Sequence, residues 1–422
     1  MTFEQRIKTI IDISPDIFRS NILSQTTTTD FILFDNWELN QQNIDWIIGW
    51  GKIDEFILSP NHSEEFSNLD QWINIHKDWK MGYINYDLKN ILETNLEQKE
   101  KDGLKSNLIH FFVPEIIFIA KNNQVKAYHL PSASLPNFEN KENISIPCSL
   151  DFKIQTNSEQ YLKNINRIKS KIVEGDFYEI NYCIEWQSDD LLLQAGQAYH
   201  ELQQKLNAPF SCYFQLDNVQ LLCNSPERFL KKTGNKIISQ PIKGTQPRNQ
   251  QIDIDLKNRN LLKSEKDLTE NIMIVDLVRN DLSKIARKGS VKVSELAEIH
   301  TFNQVHQLIS TVECELEENI SFTDILKATF PMGSMTGVPK ISMMNYAEEI
   351  ETYHRDIYSG TVGYITPEGD FDFNVVIRSL INFPLENKSY IRAGGAITID
   401  SDPVKEWEEC LLKAHKILQF FE

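Results

Sequence analysis

The chain has 422 residues, 41% of them hydrophobic, and a formal net charge of −17. That length allows a large core in one oversized domain or in about two ordinary ones. The acidic balance argues against a nucleic-acid partner, which needs a basic face to replace counterions. It leaves room for an anionic small substrate, because a pocket needs only local positive groups or a metal. No apolar run approaches the roughly 20 residues that cross a bilayer, so no membrane partner is expected. The opening MTFEQRIKTI lacks the basic start and apolar stretch of a signal peptide. The six cysteines (Cys148, Cys183, Cys212, Cys223, Cys314, Cys410) form no CxxC pair, as expected of reduced, mostly buried thiols in a cytoplasmic protein.

Residues 1–150 are rich in Asn, Asp, Ile and Trp and poor in glycine. Within them, 95–107 (NLEQKEKDGLKSN) reads as a charged exposed loop. Residues 129–148, with three prolines and no periodicity, read as a connector, which places a boundary near residue 150. In the second region, 151–422, apolar spacing predicts a helix over 158–176 that stops at Gly175. A strand follows over 177–186 and a helix over 190–207. FSCYFQL and VQLLCNS read as paired strands turned at Asp217-Asn218. KIISQ is a short apolar run leading into PIKGT (241–245), whose Lys243 is either a surface amine at a hairpin tip or a nucleophile held by a glycine turn. Residues 264–287 form a strong helix in which Ser264 and Asp267 resemble a capping box. A hairpin over 358–381 turns at Pro367-Glu368-Gly369-Asp370, a strand occupies 390–399, and Asp402-Pro403 starts the last helix. Strands in hairpins with helices between groups of them define an α+β fold. Its expected core is two layered, mainly antiparallel sheets with helices packed outside, not a doubly wound parallel sheet.

Several polar residues stand out. On the last helix Glu406, Glu409 and Lys413 lie near one face. Such a stripe is usually solvated, but two carboxylates also suit a hard cation such as Mg²⁺, which keeps room for water and substrate oxygens. Glu270, in TENIMIVDLVRNDL, is either a first-turn partner of the helix dipole or a further acidic ligand. In CNSPERFL, Glu227 follows a proline at a strand end and suits a general acid raised by burial, while Arg228 beside it suits a structural ion pair. TFPMGSMTGVPK (329–340) is a tight turn or an anion cradle of backbone N–H groups. Tyr358, Arg378 and Arg392 fall near strands of one sheet, where a buried arginine needs an anion, from the protein or from a ligand. His306 reads most simply as a satisfied core histidine.

The order of these motifs resembles the chorismate-utilising enzymes. VEGDFYEIN, SPERF, PIKGT, ENIMIVDLVRNDL, VHQLIS, FPMGSMTGVPK, YSGTVGY, IRAGGAI and EECLLKA run from about residue 173 to the C-terminus in family order. GYINYDL (82–88) and PEIIF (114–118) look like the family's N-terminal region, of the anthranilate synthase component I type. The resemblance implies the layered fold with its active site between the sheets. It implies Mg²⁺ held by Glu270 and Glu409, with Glu406 close by, binding the ring carboxylate of chorismate. Arg378 and Tyr358 would hold the enolpyruvyl carboxylate, with the Gly394-Gly395 backbone close to the substrate. Glu227 would act as acid and base at the C4 hydroxyl, and Thr245, His306 and Lys413 would line the pocket.

Lys243 selects a branch within the family. Anthranilate and isochorismate synthases usually carry a small residue there, whereas the aminodeoxychorismate synthases usually carry lysine. The resemblance therefore implies amination of chorismate at C4, for 4-aminobenzoate and folate synthesis, by two displacements. The lysine amine attacks C2 as the C4 hydroxyl leaves, and ammonia then attacks C4 and expels the lysine. An amine of ordinary pKa, about 10.4, is mostly protonated at neutral pH. Burial, apolar neighbours such as Ile242 and a nearby Mg²⁺ are expected to lower it. Glu179 stands where amine-adding relatives often have glutamine and water-adding ones lysine. It is read as a second acid/base or a partner for a cation. No GxCxG nucleophile turn is present, so a separate glutamine amidotransferase subunit is expected to supply ammonia. The alternatives are anthranilate synthase activity and a chorismate-binding regulatory subunit without turnover.

Overall fold

The computed structural model describes residues 2–24, 29–39, 42–97, 101, 106–136, 149–192, 194–302 and 305–422. Residues 98–100 and 102–105 of the expected charged loop, and residues 137–148 of the connector with Cys148, lie outside these. Every ladder between the described strands is antiparallel, as the hairpin pattern implied.

Two long strands, Trp46–Leu58 and Ile109–Lys121, pair along their length and organise the rest. Their register shifts between Lys52 and Asp54, next to Gly51 at φ 64°. Such a bulge bends the pair and lets its two halves serve different layers. From one half the sheet continues through Phe31–Asp35, Phe210–Leu216, Val219–Ser225, Ser379–Phe383 and Lys388–Ile397 to Glu179–Ser188. From the other half it continues through Lys80–Ile84, Thr361–Ile365, Phe371–Asn374, Arg228–Thr233 and Lys236–Gln240 to Val305–Glu315. Strands from before residue 150 thus pair directly with strands after it, and the two regions share both layers.

The strand FILFD shows why its apolar residues run without a break. Ile32 and Phe34 enter one core with Met81, Tyr83, Phe111 and Phe373. Phe31 and Leu33 point the other way, into a second core closed by helices. Side chains alternate across a strand, so a layer covered on both faces needs hydrophobes at every position.

The covering helices begin and end where their caps dictate. Ser158–Glu174 is capped by Asn157 and stops at Gly175, φ 90°. Glu265–Ser283 is capped by Ser264, whose hydroxyl accepts from the Asp267 N–H at 3.1 Å. Pro403–Phe421 starts at Asp402, whose carboxylate accepts from the Val404 and Lys405 N–H groups. This last helix buries Cys410, Ala414, Ile417 and Phe421 in the second core, at helical spacing. That seating presents Glu406, Glu409 and Lys413 to the space between the layers.

Arg355 fixes the strand that borders this space. Its fully buried guanidinium donates to Glu351 at 2.8 and 2.7 Å and to the carbonyls of Asn181 and Met335, each at 2.7 Å. It also lies 4.7 Å from the centre of the Tyr86 ring. Glu351 in turn accepts from the Cys183 N–H at 3.1 Å. Arg355→Met strands Glu351 as an unpaired buried charge and should cost about 3–5 kcal/mol. Urea denaturation of the variant should show that loss, and a midpoint equal to wild type would mean the network holds nothing.

Candidate active site

Lys243 owes its position to an irregular strand. Ile242–Pro247 pairs with Val305–Glu315 as Ile242 opposite Ile309 and Thr245 opposite Gln307, so one extra residue is inserted between them. Gly244 takes φ 81° at this bulge, and a Cβ there would sit 3.0 Å from Leu262 and 3.3 Å from Asp267. The positive φ favours glycine, and a Cβ would need the Leu262 and Asp267 side chains to shift by a few tenths of an ångström. The bulge turns Lys243 inward, and its side chain is only 10% exposed. The surface-amine reading of PIKGT is therefore excluded.

The amine enters a cavity of about 900 Å³ between the sheet layers and the last helix. Glu227, Glu270, Glu406 and Glu409 all line it, with Tyr358, Arg378, Arg392, Thr245, Gly394 and Lys413. Glu179, 1% exposed, meets the Lys243 Nζ at 3.1 Å. Its other oxygen, Oε2, is buried with no hydrogen-bond partner.

The protein's own groups act on the lysine otherwise than burial and Ile242 alone suggested. Burial alone would lower the amine, but Glu179 in contact, with Glu270 and Glu227 facing it, outweighs burial and holds the Lys243 pKa above the ordinary lysine value. The apolar surroundings expected from Ile242 do not dominate, because nearby carboxylates stabilise the ammonium more than desolvation harms it. Of the two readings of Glu179, the structure shows it as the partner of a cation, and that cation is Lys243.

Glu227 shows the burial-raised carboxyl that its motif suggested. Desolvation pushes its carboxyl up to about 7, against the opposing pull of Ser334, Lys243 and Arg378. Its neighbour Arg228 is a structural ion pair, donating from Nε and Nη2 to Asp372 at 2.9 and 3.0 Å. Burial likewise raises Glu270 to about 6. Glu409 moves the other way, lowered by Lys413 at 2.9 Å. Lys413 also donates to the Gly394 carbonyl at 2.9 Å.

The two arginines divide. Arg392 is tied to Glu185, with contacts of 2.7 and 2.6 Å. The guanidinium of Arg378 meets no hydrogen-bond partner among the described residues, and its backbone sits at φ 50°. A non-glycine residue held there costs about 1–3 kcal/mol, a strain typical of ligand sites. A cavity-lining guanidinium with free hydrogen-bond donors, held only by the field of Glu227, suits a carboxylate. Tyr358 lines the same wall, and burial keeps its phenol neutral.

Other expectations need correction. His306 does not line the cavity. Side chains alternate along its strand, so Gln307 faces the cavity and the His306 ring turns to Thr301 at 2.9 Å and Asp255 at 3.1 Å. Gly394 lines the cavity. A Cβ on Gly395 would point to the Lys413 Nζ at 3.6 Å and Glu406 at 3.7 Å, though Gly395 itself is not a wall residue. In FPMGSMTG the N–H groups of Met335 and Thr336 bond to Met332 and Gly333 within the turn, and the Ser334 side chain lies beside Glu227 on the cavity wall.

Spacing alone did not single out Lys266. Its Nζ lies 2.9 Å from Glu406 and 3.8 Å from Glu270, the residue one turn further along its helix. The Lys-to-Glu spacing of four was visible, but the partner on the last helix was not. No three carboxylates, histidines or cysteines converge at metal-binding distances among the described residues. Even so, the donor chemistry fits a hard cation. Glu270 Oε1 is buried without a hydrogen-bond partner and faces the same cavity as Glu409 and Glu406. One or two carboxylates suffice for Mg²⁺ when water and substrate supply the rest.

With this geometry the chain matches the chorismate binding enzyme family over residues 31–419. It belongs to that family. It is 31% identical over 412 residues to aminodeoxychorismate synthase component 1 of Escherichia coli K12, a match spanning 94% of this chain and 84% of that protein. It is 39% identical over 268 residues to a probable chloroplastic aminodeoxychorismate synthase of rice, spanning 62% of this chain but only 30% of that protein. Among solved structures, anthranilate synthase component I from Streptococcus pneumoniae TIGR4 superposes with a TM-score of 0.76 over 93% of each chain at 22% identity, which establishes the shared fold.

The raised Glu227 carboxyl predicts a pH-dependent stability. The folded state favours the protonated form, so its contribution is present below the unfolded value near 4.5 and is lost as pH rises through about 7. Glu227→Gln removes this liability. Its melting temperature should fall less than that of wild type between pH 5 and pH 8, and parallel melting curves would show that the carboxyl is not raised.

Proposed function

We propose that the chain is component I of an aminodeoxychorismate synthase, converting chorismate and ammonia to 4-amino-4-deoxychorismate through a covalent adduct on Lys243. The observation that carries this reading is the Lys243 amine, turned by a bulge into the cavity and 3.1 Å from a buried carboxylate. The similarity to aminodeoxychorismate synthases supports the same reaction.

Arg378 and Tyr358 bind the enolpyruvyl carboxylate, using a cavity-lining guanidinium that makes no hydrogen bond among the described residues. Glu270 and Glu409, with Glu406 beside them, hold Mg²⁺, which when bound neutralises the ring carboxylate. Glu227, raised to about 7 by burial, keeps about half of its population protonated at neutral pH and suits the acid role. Lys243 first gives a proton to Glu179, whose carboxylate lies 3.1 Å from its Nζ. Its lone pair then forms the N–C2 bond as the C4–O bond breaks, and Glu227 supplies the proton with which the hydroxyl leaves as water. Ammonia next attacks C4, the C2–N bond breaks, and the lysine is released as an amine. Splitting one displacement into two lets the new nitrogen end on the face from which the hydroxyl departed.

Ammonia comes from a separate glutamine amidotransferase subunit, since the chain carries no GxCxG turn and the described cysteines are buried. The free thiols support a cytoplasmic setting. No helix among the described residues is long and apolar enough to cross a membrane.

Chorismate, Mg²⁺ and an ammonium salt should yield 4-amino-4-deoxychorismate, with 4-aminobenzoate appearing only after a lyase is added. Without ammonia, mass spectrometry should find a chorismate-derived adduct on Lys243. Lys243→Ala should lose both the adduct and about a hundredfold or more of the rate. Formation of anthranilate would replace this reading with anthranilate synthase. Chorismate binding without turnover or adduct would leave a regulatory subunit.

A further inference from the structure

The three glutamates at the base of the cavity are not left to repel one another. Lys266 reaches across from the Glu265–Ser283 helix to the last helix, placing its ammonium 2.9 Å from Glu406 and 3.8 Å from Glu270. Glu409 also acts on it through space. Glu406 is 3% exposed and receives one further hydrogen bond, from the Ser401 hydroxyl at 2.8 Å. Lys266 itself is half exposed, at 49% of its side chain, so its long stem can swing out without disturbing the core. The 3.8 Å approach is too long for a hydrogen bond, and Glu270 Oε1 stays unpartnered in spite of it.

We propose that Lys266 is a resident counter-cation of the acidic cluster, holding Glu406 and Glu270 in the ligand-free protein and giving way when a divalent cation binds. This rests on the reading above that the cluster takes Mg²⁺. A single ammonium on a mobile stem satisfies one carboxylate well and the second poorly. A divalent ion with the same neighbours satisfies both and recruits Glu409. Entry of the metal therefore breaks the Lys266–Glu406 pair, and the metal affinity of the site is reduced by the population in which that pair is closed. The lysine keeps the cluster from splaying apart when no metal is present, at the expense of metal affinity.

Mn²⁺ binding to the whole chain without chorismate, followed by electron paramagnetic resonance, tests this directly. Lys266→Met should bind Mn²⁺ about tenfold more tightly than wild type, while Lys266→Arg should stay close to wild type. Thermal melting supplies a second reading. Without metal Lys266→Met should melt below wild type, and saturating Mg²⁺ should raise it by more than it raises wild type. Unchanged or weaker Mn²⁺ binding by Lys266→Met, with wild type binding normally, overturns the role of Lys266. If neither wild type nor variant binds Mn²⁺, the divalent-cation reading itself fails and this proposal falls with it. Should Lys266→Met not fold, Lys266→Gln carries the same comparison.

Discussion

Charge balance inside one cavity governs what this protein can do. Five glutamates, Glu179, Glu227, Glu270, Glu406 and Glu409, are brought together around Lys243, Lys266 and Lys413. Buried carboxylates without cations would protonate or push their helices apart. The structure separates them by surroundings. Glu227, with burial as its main influence, takes a proton up to about 7, whereas Glu409, beside Lys413, gives its proton up more readily. Identical side chains thereby acquire different chemistry within one site, one fit to donate a proton and another to bind a cation.

The fold exists to hold that cluster steady. The long pair Trp46–Leu58 and Ile109–Lys121 bends once and feeds two layers. The cavity opens where those layers face the last helix. Residues from widely separated parts of the chain meet there because the antiparallel ladder carries Glu179–Ser188 against Lys388–Ile397 and the helix Pro403–Phe421 seats upon it. Fully buried Arg355 joins this wall to Tyr86 in the N-terminal region, and strands of that region pair with strands beyond residue 150.

Much of this was legible beforehand for simple reasons. Helix ends at Gly175, Ser264 and Asp402 follow from local capping, which needs only neighbouring residues. Hairpins at Asp217-Asn218 and Pro367–Asp370 follow from turn preference. Motif order pointed to Glu227, Glu270, Glu406, Glu409 and Arg378, all of which line the cavity. His306 misled because a strand's two faces cannot be told apart when both are covered, and a shift of one residue exchanges it with Gln307. The weight given to burial and Ile242 misled, because the lysine's proton affinity also depends on which carboxylates arrive from elsewhere in the chain.

From the sequence alone came the α+β class, the helix caps, the membership of a family and the identity of the residue at 243. These depend on local preference or on residue order, both of which are written along the chain. Only the tertiary structure decided that Glu179 holds the Lys243 ammonium, that Lys266 bridges two helices, that Arg378 makes no hydrogen bond among the described residues and that His306 turns away. Those are distances between segments far apart in the chain, and electrostatic strength depends steeply on such distances and on burial.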